Sequence, residues 1–299
     1  MRLYNKKSLM RRLCVRYMGA VGGFLMLFFS GCAGCPSFPA EAPFRPSAAG
    51  ICWRSLCPGV DAADIYDPQL PLIAHAVKID LRNPSLSVVV SESDLFKNTK
   101  GSIRGETTRS FALRHNTVVA FNAAAFETCS LFFSVYRTIV GIHITDFRRM
   151  SMPNERYGAL LFYADRTARI VDSQTEVSFS ADVRHALSGF WTILRNGIVL
   201  PQNVSSRDSR TAAGIADNGE TLFIVAVEGE NKRKSCGLSF EETAVLMRWL
   251  GASDAFQLDG GSSSTLVLRE NGVQRAVAPS IGGRFPIRVA SNAGIICIE

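Results

Sequence analysis

Residues 254–268 read DAFQLDGGSSSTLVL: an apolar segment, an acid, two glycines, four hydroxyl residues and a second apolar segment. The run 255–258 predicts a buried strand, which makes Asp259 the first residue to leave the sheet. Gly260 and Gly261 allow positive φ, and successive backbone N–H groups in such a turn form a concavity that binds anions. The residue types leave two interpretations open, a ligand site and a Gly/Ser-rich turn with an incidental acid.

Three common motifs are excluded for this stretch. A phosphate-binding loop of the GxxxxGK[ST] type needs a lysine before a helix, and no lysine follows the two glycines. The dinucleotide fingerprint GxGxxG is absent, and a serine-hydrolase elbow needs GxSxG leading into a helix rather than a strand. Any chemistry of the stretch would therefore rest on Asp259, on the hydroxyls and on the backbone N–H groups of the turn.

The sequence around this stretch predicts mainly antiparallel β-structure. Asn-Gly pairs at 196–197, 218–219 and 271–272 each separate two apolar runs, and both residues of such a pair adopt positive φ in a tight hairpin. Repeated hairpins favour antiparallel sheets over a doubly wound parallel sheet. We therefore expect an α+β fold, a single domain with largely antiparallel β-sheets and a few packed helices.

Two helices are predicted. One precedes the opening stretch, with Ser239 as its N-cap, Glu242 at the capping-box position and Gly251 just after its last turn. Its apolar residues fall on one side, which is typical of a helix packed on a sheet. The second helix is predicted over residues 181–187.

The positive charge of the chain lies at its N-terminus. The formal net charge is +7, but six of the 33 basic residues fall within the first 16 positions, ahead of any acid. Residues 32–299 then hold 27 basic and 26 acidic residues, and a chain so close to neutral has no general attraction for nucleic acid. We expect no nucleic-acid partner.

The basic start and the apolar run GAVGGFLMLFFSGC that follows it are typical of a secretory signal. The run is shorter than the ~20 apolar residues that a membrane span needs. Phe29-Ser30-Gly31-Cys32 resembles a bacterial lipobox, so we expect residues 1–31 to be a lipoprotein-type signal peptide and Cys32 to carry lipid. The protein would then be exported and held at the membrane by this N-terminal lipid anchor, on the periplasmic or cell-surface side. An ordinary cleaved signal peptide and an uncleaved N-terminal anchor are the alternatives.

Residues 32–69 are expected to form the lipidation site and a tether, because positions 33–50 contain four prolines and many small residues. Residues 70–299 are expected to form one domain. An exported chain meets an oxidising compartment, where six cysteines allow up to three disulfides, and CWRSLC allows a local loop between Cys52 and Cys57. The six are Cys35, Cys52, Cys57, Cys129, Cys236 and Cys297.

FQLDGGSSSTLVL resembles the signature of the phosphodiester glycosidase family, and further blocks are similar in the same order over roughly residues 75–298. These blocks are VVAFNAAAF (118–126), SRTAAGI (209–215), the acid–glycine pair Glu228-Gly229, and RFPIRVASNAGI (284–295). The resemblance implies a hydrolase that cleaves a sugar-1-phosphodiester in a glycan or glycolipid. With the lipid anchor expected at Cys32, the protein would be an envelope-anchored hydrolase.

The resemblance also implies site residues, whose types suit this reaction. A guanidinium holds a phosphate, and carboxylates protonate a leaving oxygen, activate water or stabilise an oxocarbenium-like state. Which carboxylate is the acid stays open. No metal or other cofactor is predicted, although a divalent ion is compatible with a DGG turn. The implied catalytic residues are Asp259, Glu228, Arg210 and Asn122, and the implied substrate-binding residues are Thr211, Gly260, Gly261, Ser262, Ser263, Arg284 and Arg288.

The chain departs from the family pattern at three places. It has Glu228-Gly229-Glu230 where the family commonly has Asp-Gly-Arg, Ser262 in place of a glycine, and alanines after Asn122 in place of glycines. These departures sustain a second hypothesis, that the chain is a non-catalytic lipoprotein that uses the same fold to bind glycan or phosphate.

Overall fold

The computed structural model describes residues 44–46, 50–67, 70–92, 101–128, 135–177, 182–278 and 287–298. The predicted signal peptide and the lipidation site at Cys32 lie outside these residues. The chain divides into a unit Met1–Ala42, of which no residue is described, and a unit Pro43–Glu299, which holds all the elements below. Within the described ranges, no helix has both the length and the apolar composition that a membrane span requires.

The described part of the chain is largely β-strand, with two α-helices, α1 (Thr108–His115) and α2 (Phe240–Leu250). The strands, numbered in chain order, are β1 (Arg54–Cys57), β2 (Val60–Asp67), β3 (Leu72–Asp80), β4 (Leu86–Val90), β5 (Ser102–Arg104), β6 (Val119–Asn122), β7 (Phe126–Thr128), β8 (Tyr136–Ile139), β9 (His143–Thr145), β10 (Arg148–Ser151), β11 (Ala159–Tyr163), β12 (Ala168–Val171), β13 (Val183–Ser188), β14 (Thr192–Arg195), β15 (Ile198–Val199), β16 (Arg210–Ala216), β17 (Thr221–Val227), β18 (Asp254–Gln257), β19 (Leu266–Glu270), β20 (Val273–Ala278) and β21 (Asn292–Cys297).

These strands form four sheets, and the pairings within them are antiparallel, as expected. The strand orders are β1-β2-β3-β17-β16-β18-β14-β15 in sheet I, β20-β19-β6-β21-β4 in sheet II, β10-β9-β13-β11-β12 in sheet III, and β5-β8-β7 in sheet IV.

The largest core lies where sheets I, II and III meet. It includes Ile224 of sheet I, Phe121 and Ile295 of sheet II, and Leu160 of sheet III. A second core lies on the other face of sheet I, where α2 packs against it through residues such as Met247. Helix α1 in turn packs on the outer face of sheet II. The resulting layers bury sheet I on both of its faces.

Strand β16, with the sequence RTAAGIA, shows why a doubly covered strand carries small residues. All seven of its residues are buried. Ala213 and Ile215 belong to the core between the sheets, whereas Ala212 and Ala216 belong to the core beneath α2. Because side chains alternate along a strand, consecutive residues at its start also point to opposite faces of the sheet.

The predicted hairpins and the longer helix are confirmed. Each of the three Asn-Gly pairs has positive φ at both residues, between β14 and β15, β16 and β17, and β19 and β20. Helix α2 begins at a capping box formed by Ser239 and Glu242, and Gly251 adopts the left-handed conformation after its last residue.

Two predictions were wrong. Residues 183–187 of the predicted second helix lie in β13 instead, because this strand pairs with β11 on one side and β9 on the other, and those pairings override a local helical preference. The predicted tether 32–69 extends too far, because β1 and β2 within it belong to sheet I, where Val60 and Ala62 are fully buried. Helix α1 has no counterpart among the predicted elements.

Candidate active site

The antiparallel register of sheet I brings three blocks of the sequence to one edge of the sheet, the edge at which β16 begins and β17 and β18 end. Arg210, at the start of β16, lies opposite Val227, and Ala212 lies opposite Gln257. Glu228 and Asp259 therefore leave β17 and β18 on the same edge, on either side of the residues that precede β16. Strand ends of this kind hold side chains firmly while leaving them able to reach a ligand.

Ser209 forms the contact between these two acid-bearing turns. Its carbonyl accepts a hydrogen bond of 2.8 Å from the N–H of Gly261. On its other side, a Cβ added to Gly229 would lie 2.4 Å from the Ser209 nitrogen, so only glycine fits there. Gly261 has φ of +57°, a conformation that also favours glycine. The predicted glycines are thus explained by the close approach of backbones.

Asn122, the last residue of β6, is fully buried and joins sheet II to this edge. Its Oδ1 accepts hydrogen bonds from the Thr211 hydroxyl at 2.8 Å and from the Thr265 N–H at 2.9 Å. Its Nδ2 donates to the carbonyl of Asp259 at 2.7 Å. Because three of its four hydrogen-bonding positions are occupied within the protein, Asn122 and Thr211 hold the Asp259 turn in place.

Asp259 has a strongly altered acidity. Burial raises the pKa of its carboxyl to about 6, although hydrogen bonds from the Ser263 side chain and the Gly260 backbone act in the opposite direction. Its backbone N–H donates to the carbonyl of Ala123 at 2.8 Å, which fixes the direction of the turn. A rigid carboxyl whose pKa lies near neutral pH is suited to proton transfer.

Glu228 belongs to a second polar group that the sequence did not predict. Its Oε1 lies 3.3 Å from Nε2 of His75, and Nδ1 of the same ring lies 2.6 Å from Oδ1 of Asp64. Asp64 is in turn paired with Arg54 at 2.9 Å. His75 is buried, whereas Glu228 is partly exposed. The imidazole therefore lies between the two carboxyl groups and holds the Glu228 side chain from behind.

The missing signal for His75 lies in strand pairing. His75 shows no spacing to another polar residue in the sequence, but it lies opposite Asp64 in β2 and opposite Ala226 in β17. Cross-strand partners share a face, and Glu228 follows Ala226 by two residues, so all three polar side chains share that face. Only the strand order, which local patterns do not specify, reveals this.

Arg210 lies on the opposite face of the sheet from Thr211. Its Nε donates to the carbonyl of Leu238 at 2.9 Å, its Nη2 donates to the carbonyl of Ser206 at 2.6 Å, and its guanidinium lies 4.4 Å from the centre of the Phe240 ring. Burial lowers the pKa of this guanidinium. The structure therefore does not bring Arg210 together with Asn122 and Asp259, because alternation along β16 directs it towards α2.

The remaining predicted residues lie partly on the Asp259 turn and partly elsewhere. Ser262 is exposed on the Asp259 turn, and Ser263 is buried beneath it. Arg288 donates to the carbonyl of Gly105 at 3.2 Å, away from the contacts described above. Arg284 lies outside the described residues.

Most of the backbone N–H groups that were expected to bind an anion at the glycine turn already donate to carbonyls within the protein. The N–H groups of Gly261, Ser263 and Ser264 donate to the carbonyls of Ser209, Gly260 and Gly261. The turn thus offers a ligand mainly its side chains. Among the described residues, no group of three or more His, Cys, Asp or Glu side chains is arranged to hold a metal ion.

A layered β-fold with two carboxyl groups at one sheet edge is an arrangement that suits a hydrolase of the acid–base type. The family model for phosphodiester glycosidases matches residues 115–295. The chain therefore belongs to the phosphodiester glycosidase family, as its motifs suggested. Among curated proteins, none matches the chain in sequence.

Solved structures show the same fold at low sequence identity. A hypothetical protein from Synechocystis aligns with a TM-score of 0.61 and 15% identity over 83% of this chain, which spans only 64% of that protein. The zebrafish N-acetylglucosamine-1-phosphodiester alpha-N-acetylglucosaminidase catalytic domain, auto-inhibited by its pro-peptide, aligns with a TM-score of 0.57 and 20% identity over 82% of this chain and 85% of that one. A Burkholderia pseudomallei protein aligns with a TM-score of 0.54 and 16% identity, over 75% and 74% of the two chains.

Proposed function

We propose that this protein hydrolyses a sugar-1-phosphodiester in a glycan or glycolipid, with Asp259 and Glu228 as its two carboxyl groups. The observation that carries the proposal is that these two acids leave β17 and β18 at one edge of sheet I, in a chain of the phosphodiester glycosidase family. The reaction adds water to the bond between the anomeric carbon and the bridging oxygen, and it releases a free sugar and a phosphomonoester.

The two acids have different environments, which assigns them different roles. Asp259, with a pKa of about 6, keeps roughly a tenth of its carboxyl protonated at pH 7, so it is the group that protonates the leaving oxygen. Glu228 is partly exposed, and its Oε1 lies 3.3 Å from Nε2 of His75, which holds the side chain in position. Glu228 is then the group that activates water or stabilises positive charge at the anomeric carbon.

Arg210 is bonded to the carbonyls of Leu238 and Ser206, so the positive charge that binds the phosphate would come from other residues. We assign Arg210 to positioning the segment that holds Ser209. The loop after Glu228 carries Lys232, Arg233 and Lys234, of which Lys232 is bonded to the carbonyls of Arg207 and Cys236. Arg233 and Lys234 are exposed, so they and the Ser262 hydroxyl are the groups that would meet a phosphate arriving from solvent.

The cellular setting proposed with this activity is the cell envelope. The N-terminal sequence supports export and lipidation at Cys32, and a glycan or glycolipid is a substrate that such a location would supply. Metabolic labelling with palmitate tests this part separately from catalysis. We expect label on the wild-type protein and none on Cys32→Ala, and label that persists on the variant would contradict lipidation at Cys32.

The test of the activity is the release of free sugar from a panel of sugar-1-phosphodiesters, with and without chelator. We expect release by the purified protein, a loss of at least about 100-fold on Asp259→Asn or Glu228→Gln, and little change on Glu230→Gln. Glu230 is a matched control, because it lies two residues from Glu228 and is exposed. Binding of a diester without turnover would instead support the non-catalytic hypothesis that the motif departures suggest.

A further inference from the structure

Two cysteines that are 240 positions apart in the sequence meet at the far ends of two strands. Cys57 ends β1 at the edge of sheet I, and Cys297 ends β21 in sheet II. Their Sγ atoms lie 3.0 Å apart. A disulfide has its sulfur atoms about 2.05 Å apart, so these two thiols need to approach by only about 1 Å.

The surrounding backbone holds the two cysteines in this position. Cys297 lies opposite Leu86 in β4, and the next residue, Ile298, donates to the carbonyl of Ser85 at 2.7 Å. On the other side, Asn83 donates through its side chain to the carbonyl of Pro58 at 2.8 Å. The turn before β4 therefore binds both strand ends, and the proximity of the thiols follows from the packing of the sheets.

We propose that Cys57 and Cys297 form a disulfide that joins sheet I to sheet II. The bond forms by thiol–disulfide exchange with a disulfide-bearing oxidant, such as oxidised glutathione or an oxidoreductase of an exported compartment. One cysteine thiolate attacks a sulfur of the oxidant's disulfide, which forms a mixed disulfide and releases the first oxidant thiolate. The second cysteine thiolate then attacks the protein sulfur of the mixed disulfide, which forms the Cys57–Cys297 bond and releases the second oxidant thiolate, so the oxidant gains two electrons and becomes two thiols. The two protons of the cysteines are transferred in the same exchange.

This pairing replaces the local loop that the sequence allowed between Cys52 and Cys57. Cys52 is exposed, whereas Cys57 and Cys297 are both partly buried against the core between the sheets. Burial raises the pKa of the Cys57 thiol to about 12. A thiol of high pKa is seldom ionised at neutral pH and is a poor leaving group, so the cross-link forms slowly and, once formed, resists reduction.

The test uses the folded, purified full chain incubated with oxidised glutathione, which makes the result independent of where the protein resides. Remaining thiols are carbamidomethylated in denaturant without reductant, and the chain is cleaved with trypsin. Cys57 and Cys297 are the sole cysteines of tryptic peptides 55–78 and 289–299. We expect these two peptides to appear as one linked species that separates on reduction, with a thermal unfolding midpoint about 5–10 °C above that of the reduced chain.

Variants separate this pair from the other thiols. Cys297→Ser should release peptide 55–78 with its cysteine alkylated or glutathionylated, and Cys236→Ser, the matched control, should leave the linked species intact. The proposal is overturned if wild-type peptide 55–78 is found unlinked, or linked to the peptide that contains Cys52, Cys129 or Cys236.

Discussion

Replacing Asp259 with asparagine should stabilise the fold at alkaline pH while it abolishes the proposed reaction. The folded carboxyl has a pKa of about 6 against an ordinary value of 3.8. Between these two pH values the folded state keeps a proton that the unfolded state has released, so stability falls as the pH rises through this window. A difference of about two units corresponds to a loss of about 3 kcal/mol, fully present above pH 6.

Asparagine has nearly the same shape and carries no charge at any pH. It accepts fewer hydrogen bonds than the carboxylate does from Ser263 and Gly260, which costs about 1 kcal/mol. We therefore expect the Asp259→Asn variant to be more stable than the wild type by about 2 kcal/mol at pH 8, and slightly less stable at pH 4. Between pH 4 and pH 8, the stability of Asp259→Asn relative to the wild type should therefore rise by about 2.5 kcal/mol.

The measurement is urea-induced unfolding of wild type, Asp259→Asn and Glu230→Gln at pH 4 and pH 8. Glu230 is exposed, so its replacement should leave the pH dependence of stability unchanged. If Asp259→Asn destabilises the fold equally at both pH values, the carboxyl is not a buried group of raised pKa, and its assignment as the acid fails.

Three further substitutions test the contacts around the two acids. His75→Gln should lower kcat by about 100-fold and alter the pH profile while leaving KM nearly unchanged, because the ring fixes the Glu228 carboxylate; an unaltered pH profile would show that the ring has only a packing role. Asn122→Ala should lower the free energy of unfolding by about 3 kcal/mol in a urea titration, since it leaves the buried Thr211 hydroxyl and two partly buried backbone groups without this partner, and a loss below about 1 kcal/mol would contradict this. Gly229→Ala should cost about 1–3 kcal/mol in the same titration, because its Cβ would lie 2.4 Å from the Ser209 nitrogen, and a neutral effect would argue against that close approach.

The local features of the fold were predictable because each depends on a few adjacent residues. The Asn-Gly hairpins and the capping box of α2 belong to this class, since their backbone angles and side-chain bonds are set within four residues. The segment 183–187 was mispredicted as a helix for the opposite reason, because its conformation is decided by pairing with β9 and β11, which are distant in sequence.

The site was predictable only in part, for the same physical reason. The motif order pointed to Asp259 and Glu228, and the register of sheet I brings both to one edge. The motif order could not show that the Arg210 side chain points to the opposite face of the sheet from Thr211, because that depends on which face of β16 packs against α2. Nor could the motif order show that His75 lies behind Glu228, because that contact depends on β3 lying between β2 and β17 in sheet I.

The central claim is that the protein cleaves the bond between the anomeric carbon and the bridging oxygen of a sugar-1-phosphodiester. Its most direct test is hydrolysis of such a diester in heavy-oxygen water, followed by mass spectrometry of the phosphomonoester product. We predict a phosphomonoester free of the heavy isotope, because water attacks carbon and the bridging oxygen stays with phosphorus. Incorporation of the heavy isotope into the phosphate, or the absence of any hydrolysis that depends on Asp259, would contradict the account.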